Sequence, residues 1–394
     1  MNPSIWEMET FYRHREVTII GAGFTGLWTA ISIKEKFPAA SVLVVERSAV
    51  PMGASTRNAG FACFGSLTEI IADSGKMGWD KTLELVQMRF DGLQKIRKYF
   101  KPGEIDFELC GGYEILKDSL ALERMNEVNE HLKKITGLKE TFSPDNKKLK
   151  EFGLANAEIL VSNPCEGSLH SGKLLQKLRE KCQRLGIEFL FGTEVSAISE
   201  NEGAVQVKTN NFEISADKLI IATNAFTKDL IPDIELVPVR GQILLTEPIE
   251  NLKLKGTFHY DEGFYYFRNL GNQILLGGAR NLDFKTEETS VMETTDILQN
   301  HLEDFLKKCN SAESGFQDCL PVERNYGHGH RKIAGRAEDF SKTDCGGPPF
   351  GNGRSIGTQN RRNGRGNDRV ISLSRIQNRS RKSFLTFRIG VPDP

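Results

Sequence analysis

The sequence predicts an α/β fold, α+β overall, in which one domain built on a parallel sheet is interleaved with a second, β-sheet-rich domain. Three observations predict it. Residues 17–47, VTIIGAGFTGLWTAISIKEKFPAASVLVVER, run from strand to glycine turn to helix to strand. Far downstream, Lys218 to Ala222 reads as a strand buried on both faces, as in a parallel sheet. Between and after them, 236–280 is strand-rich, with VPVRGQILLTEP, GTFHYDEGFYYFRN and QILLGGAR in succession.

The elements follow in order. Val17 to Ile20 is an apolar strand, and Gly21, Gly23 and Gly26 follow in G-x-G-x-x-G spacing. A helical pattern then runs to about Phe37, and a second strand, Ser41 to Val45, ends in Glu46. A glycine at the first position permits the tight turn, and one at the second lets backbone approach a pyrophosphate. The third lets helix and strand pack closely. The helix N-terminus adds unpaired N–H groups and partial positive charge. Glu46 stands where a carboxylate accepts hydrogen bonds from a ribose. The unit is therefore a Rossmann-like dinucleotide site.

Next comes PMGASTRNAGFACFGS, a loop of small residues that lets backbone lie against a flat ligand. Residues 80–140 are mainly helical, and FELCGGYEIL reads as a hairpin-like strand pair about Gly111 and Gly112. LHSGKLLQKLREKCQRLG is an amphipathic helix ending at Gly186, followed by strands in IEFLFGTEVSAISE, AVQVKT and FEISADKLIIATNAF. The expected domains are 15–75 with 168–235 for the nucleotide, and 76–167 with 236–320 for the substrate.

Composition narrows the class. Hydrophobic residues at 39% and charged ones at 26% describe a globular chain. No run approaches the roughly 18 apolar residues of a membrane span, and the N-terminus lacks an apolar signal core. The seven cysteines are scattered without a C-x-x-C, which predicts reduced thiols in a cytoplasmic protein and no metal site. Zero net charge gives no reason to invoke nucleic acid.

Six motifs in one order, IIGAGFTGLWTA, VLVVER, GASTRNAGF, LIIATNA, PVRGQILLTEP and FRNLGNQILLGGAR, resemble the FAD-dependent amine and amino-acid oxidoreductases of the D-amino-acid oxidase and glycine oxidase type. Within that family the chain looks most like the gamma-glutamylputrescine oxidoreductase group. The resemblance covers residues 5 to 320. It implies FAD as cofactor, with Gly21, Gly23 and Gly26 at the pyrophosphate, Glu46 at the ribose and Arg47 beside the adenine. It places Ser55, Thr56, Arg57, Asn58 and Ala59 along the pyrophosphate and flavin edge, Val195 with its backbone on the adenine, and Thr223 and Asn224 closing the nucleotide site. The family more often has Gly than Asn after Ala-Thr.

For the substrate, the resemblance points to Arg268 in YYFRN as a carboxylate ligand, with Tyr266 and His259 as cavity residues. A solvated strand arginine and core aromatics are the alternatives. Arg240 reads either as a site residue or as a structural ion-pair residue. Arg57 and Asn58 read as site or as loop surface, and Cys63 as a flavin tether or an inert core thiol. The implied reaction is oxidation of the C–N bond of an amino acid or amine by hydride transfer to flavin N5. The electron acceptor stays open among oxygen, a quinone and another protein.

Past Leu320 the family pattern stops. Residues 321–394 hold 15 Lys+Arg against 6 Asp+Glu, while 1–320 hold 37 against 46. This basic, Gly-rich tail predicts disorder. Its codons, shifted by one base, can encode RWSGIMGM from PVERNYGHG and RLSGMGV from PPFGNGRS, both resembling the family's C-terminal flavin-site motifs. The expectation is a frameshift just before Pro321. It makes an inactive flavoprotein remnant with a basic tail the alternative to the active enzyme.

Overall fold

Arg15–Ile20 lies inside a six-stranded sheet, because a run with five of its six residues buried, Val17, Ile19 and Ile20 among them, needs cover on both faces. A computed structural model describes residues 3–154, 157–201, 203–308 and 331–335. The sheet order by residue range is 188–190, 42–45, 15–20, 213–221, 204–209, 195–201. The first four strands are parallel and the last two pair antiparallel. Ile20, Leu43, Val45, Val205, Val207, Ile214, Leu219 and Ile221 form one core cluster. The helix Phe24–Lys36 buries Leu27, Trp28, Ala30 and Ile31 and contacts the 15–20 and 42–45 strands.

Contacts divide the chain into two compact units. Among the described residues, one holds 3–55 and 175–237, and the other 56–174, 238–308 and 331–335. Residues 56–75, expected with the nucleotide domain, group with the second unit. Phe61–Ala62 pairs with Gly167–Ser168, and Phe64, Leu67 and Ile70 enter a cluster with Val86, Val128 and Phe142. The helix Leu67–Met77 starts where the sequence SLTE allows, with Ser66 and Glu69 forming a reciprocal cap.

The second unit carries an eight-stranded sheet, ordered 331–335, 241–245, 273–278, 265–270, 257–260, 112–116, 159–163, 143–144. The hairpin expected in FELCGGYEIL is not formed. Gly112–Leu116 is a strand, parallel to Thr257–Tyr260 and antiparallel to Ile159–Asn163, whereas Glu108 bridges to Ser168. Gly112 faces the buried Glu166, whose Oε2 would lie 2.1 Å from a Cβ there, so this glycine makes room for a side chain instead of a turn. The tail expectation lies outside the described residues except at Arg331–Gly335, a strand antiparallel to Gly241–Leu245.

Candidate functional site

In the first unit, Gly21, Glu46, Thr223 and Asn224 stand just past the carboxyl ends of three parallel strands. Gly21 adopts φ +108°, and a Cβ there would stand 2.4 Å from the Ala222 carbonyl oxygen. A Cβ on Gly26 would stand 1.9 Å from the Gly21 carbonyl oxygen. These two glycines let the turn close and the helix lie on the strand. Gly23 is different: its Cβ would meet only the Ser55 hydroxyl, at 2.9 Å. It is also the N-cap of the helix Phe24–Lys36 and supplies no side chain to cap it. Ser55 Oγ instead accepts the Phe24 N–H at 2.9 Å.

Glu46 is held at the end of its strand. Its Oε2 accepts from Ala22 N at 2.9 Å and its Oε1 from Ser48 N at 3.1 Å. An ionised carboxylate accepts about four hydrogen bonds, so capacity for ribose hydroxyls remains. The Arg47 guanidinium stacks 3.5 Å from the centre of the Phe226 ring. Thr223 Oγ1 bonds Thr227 Oγ1 at 3.1 Å, and Asn224 sits at φ +51°. That left-handed backbone is where glycine is easiest and asparagine the best-tolerated substitute, matching the family's usual glycine at this point. Val195 opens the outer strand Val195–Asn201, in register with Thr209.

In the second unit, strand alternation sorts the candidate substrate residues onto one face. Phe258, Tyr260, Tyr265 and Phe267 enter the main core. His259 pairs across with Tyr266, and Thr257 with Arg268, so these point the other way. There Phe61 lies edge-on to His259 and Tyr266, at ring separations of 5.3 and 6.0 Å. Gly277, opposite Tyr266, leaves the space that the tyrosine ring fills. Ala59, Phe61, Cys63, Ile243 and Leu275 make the apolar cluster of this face, so Cys63 is a buried thiol among hydrocarbon.

His259 is buried, and neither ring nitrogen has a hydrogen-bond partner. Burial lowers its pKa to about 4. Glu166 Oε2 stands 3.9 Å from Nε2, too far for a hydrogen bond, so burial prevails and the ring is neutral. Arg268 is buried too, which corrects its reading as a solvated strand arginine. Its Nη1 donates to the carbonyls of Gly60 at 2.8 Å, Leu169 at 3.1 Å and Ala59 at 3.4 Å, and its Nε to that of Asn269 at 3.0 Å. Asn58 is likewise no loop-surface residue: its Oδ1 accepts from Gly60 N and Ser171 Oγ. Thr56 is exposed, closing the short helical turn Ala54–Thr56, and Arg57 is half-buried.

The profile of the family described as FAD dependent oxidoreductase matches residues 16–354. The chain belongs to that family. A probable oxidoreductase, OrdL, of Haemophilus influenzae is 28% identical over 251 residues, covering 61% of this chain and 57% of that one. Gamma-glutamylputrescine oxidoreductase of Escherichia coli K12 is 26% identical over 283 residues, covering 67% and 64%. The match thus spans under two thirds of these relatives' own lengths. In fold, the chain is similar to L-proline dehydrogenase from P. horikoshii, with TM-score 0.61 at 17% identity and coverages of 74% and 76%. It is also similar to glycine oxidase from Geobacillus kaustophilus, with TM-score 0.58 at 16% identity and 82% of each chain.

The first unit's residues fit FAD, the cofactor of the family. The glycine turn carries no Cβ where a pyrophosphate would approach, the start of the Phe24–Lys36 helix would offer it N–H groups, and a held carboxylate follows the second strand. No helix among the described residues is long and apolar enough to cross a membrane.

Two buried carboxylates, Glu114 and Glu287, escaped the sequence reading. Glu114 accepts from Ser66 Oγ, Thr68 N and Thr68 Oγ1, and burial raises its pKa. It therefore pins the start of the Leu67–Met77 helix. Arg240 forms a buried two-point ion pair with Glu287, whose Oε1 also accepts from Gln242. The ion-pair reading of Arg240 is the one the geometry supports. The signal for Glu114 was present in GYEIL, a carboxylate in an otherwise uncharged strand. For Glu287 there was none, because its partner lies 47 residues away.

Proposed function

We propose that this chain binds FAD and oxidises the C–N bond of an amino acid or small amine. The observation that carries the reading is the cradle of Gly21, Gly23, Gly26, Glu46 and Ser55 around the start of the Phe24–Lys36 helix. When bound, FAD supplies the electron sink that accepts a hydride equivalent from the carbon bearing the amine. The protein's part is to bind, to orient and to keep water away. In the first unit, backbone N–H groups and the helix N-terminus hold the phosphates and Glu46 takes the ribose. In the second, Tyr266, His259 and the Phe61 cluster offer an apolar face with a neutral imidazole, suited to an uncharged amine. None of these side chains is a strong base, and removal of a hydride from a neutral amine needs none. The imine product hydrolyses to a carbonyl compound and ammonia or an amine. The substrate class follows that of relatives named as gamma-glutamylputrescine oxidoreductase and glycine oxidase.

The test is reconstitution of the purified chain with FAD, followed by anaerobic addition of amines and amino acids. Retained flavin absorbance, bleached by an amine, is the expected result. A chain that never retains flavin, or whose bound flavin no amine reduces, overturns the reading. Gly23→Val should abolish FAD binding while leaving the unit folded, because its side chain enters the phosphate space without striking backbone.

A further inference from the structure

We propose that Arg268 is a positioning residue that sets the Asn58–Gly60 turn, and not a ligand of the substrate carboxylate. This deepens the proposed function and rests on its FAD cradle, together with the place along the cofactor that the family resemblance implies for residues 55–59.

A guanidinium has five N–H groups, two on each Nη and one on Nε. Nη1 is committed to the Gly60 and Leu169 carbonyls, with Ala59 as a longer third partner, and Nε is committed to Asn269. A two-point grip on a carboxylate needs two parallel N–H groups, from Nη1 with Nη2 or from Nε with Nη2. Each pair has one member already spent on backbone. Arg268 is also buried, so breaking those bonds would strip a buried guanidinium of the backbone carbonyls that hold it.

The carbonyls converge because the backbone is built for it. Gly60 is at φ +69°, and a Cβ there would lie 2.3 Å from the Leu169 oxygen and 3.0 Å from Arg268 Nη1. Leu169 N donates back to the Gly60 oxygen at 2.8 Å. Asn58 Oδ1 takes Gly60 N at 2.9 Å and Ser171 Oγ at 2.5 Å. Residues 58–60 and 169–171 are thus tied by bonds in both directions, with the guanidinium at the hub. The stretch 55–59, for which the family resemblance implies a place along the pyrophosphate and flavin edge, leads directly into this knot.

The test uses the full chain with FAD, in wild-type, Arg268→Ala and Arg268→Lys forms. Arg268→Ala should weaken FAD binding roughly tenfold or more and alter the shape of the visible flavin spectrum, because the hub of the turn is gone. Turnover of a carboxylate-bearing amine and of its decarboxylated analogue should fall by the same factor in kcat. Arg268→Lys should restore part of the affinity, since an ammonium reaches some of the same carbonyls. A KM rise confined to the carboxylate-bearing amine, with FAD affinity and spectrum unchanged, overturns the proposal and restores the carboxylate ligand. If the wild type turns over no amine, the functional reading fails, yet FAD affinity still decides the role of Arg268. If it binds no FAD, hydrogen exchange decides. Faster exchange at the Gly60 and Leu169 amides in Arg268→Ala supports the hub, and unchanged exchange overturns it.

Discussion

The nucleotide cradle of the first unit and the candidate substrate face of the second are built from different material. The cradle is backbone: absent Cβ atoms at Gly21, Gly23 and Gly26, a helix start, and one carboxylate held by two amides. The candidate substrate face is side chain: Phe61, His259 and Tyr266, the last two sorted by the alternation of strands. Backbone demands are written in the sequence as glycine spacing. Side-chain roles depend on what packs against them, and one residue type serves opposite ends.

The sharpest way to break the comparison is inside the cradle. Gly26→Val should destabilise the first unit by on the order of 5 kcal/mol, because its Cβ would stand 1.9 Å from the Gly21 carbonyl, and helix and strand must part to admit it. Gly23→Ala meets only a rotatable serine hydroxyl and should cost about 1 kcal/mol or less. Urea unfolding of the two variants measures the gap. Equal losses would mean that Gly23 too is a packing glycine and that the cradle is not open to a ligand.

In the second unit the largest effect is predicted for a charge pair, not a glycine. Glu287→Ala leaves Arg240 buried without its carboxylate and should cost about 3–5 kcal/mol. The double variant Arg240→Met, Glu287→Leu should recover most of that loss, since both charges leave together. Failure of the double variant to recover would show that the Arg240 bonds hold the 238–242 segment in a way hydrocarbon cannot replace.

These two sites also show how far the sequence could be read. The strand–turn–helix–strand of 17–47 was legible because each residue's job is local: spacing fixes the turn, and periodicity fixes the helix. The LIIATNA strand was legible because double burial demands an apolar run. FELCGGYEIL was misread as a hairpin because Gly-Gly signals a turn, while here Gly112 yields space to Glu166, 54 residues on. Arg268 in YYFRN reads as a ligand or a solvated residue from its neighbours alone. Only the carbonyls of Gly60 and Leu169, remote in sequence, show a third role.

His259 gives a smaller effect with a sign that can be checked. Its pKa is about 4 folded against 6.5 as a free side chain, so the neutral ring is favoured in the fold. Its contribution to stability is fully present above pH 6.5 and is lost as pH falls from there through about 4. His259→Leu should remove that loss from the pH–stability profile. It should also stabilise the second unit near neutral pH by about 1 kcal/mol, because two unpartnered buried nitrogens disappear. Stability gained together with turnover lost would mark His259 as a residue kept for chemistry. Stability lost would show that the ring's packing against Phe61 outweighs its unmet hydrogen bonds.

The smallest predicted effect tests whether the cradle is as purely backbone as the comparison makes it. Arg47 leaves the end of the Val42–Val45 strand, and Phe226 closes the short helical turn after Glu213–Ile221. Those strands flank Arg15–Ile20 on either side, so the Arg47–Phe226 stack joins two strand ends across the glycine turn. Arg47 is exposed, and an exposed cation–π contact is worth about 0.5–1 kcal/mol. Phe226→Ala should therefore barely move the unfolding midpoint. If the guanidinium, held flat by that ring, also forms a wall for adenine, the variant should weaken FAD and ADP alike, by roughly two- to fivefold from the same contact energy, and leave riboflavin binding unchanged. Titration of the three ligands separates the outcomes. Equal effects on all three would place the stack's influence on the whole fold. No effect on any would leave recognition of the nucleotide to the glycine turn, the helix start and Glu46, with no side-chain wall at the adenine end.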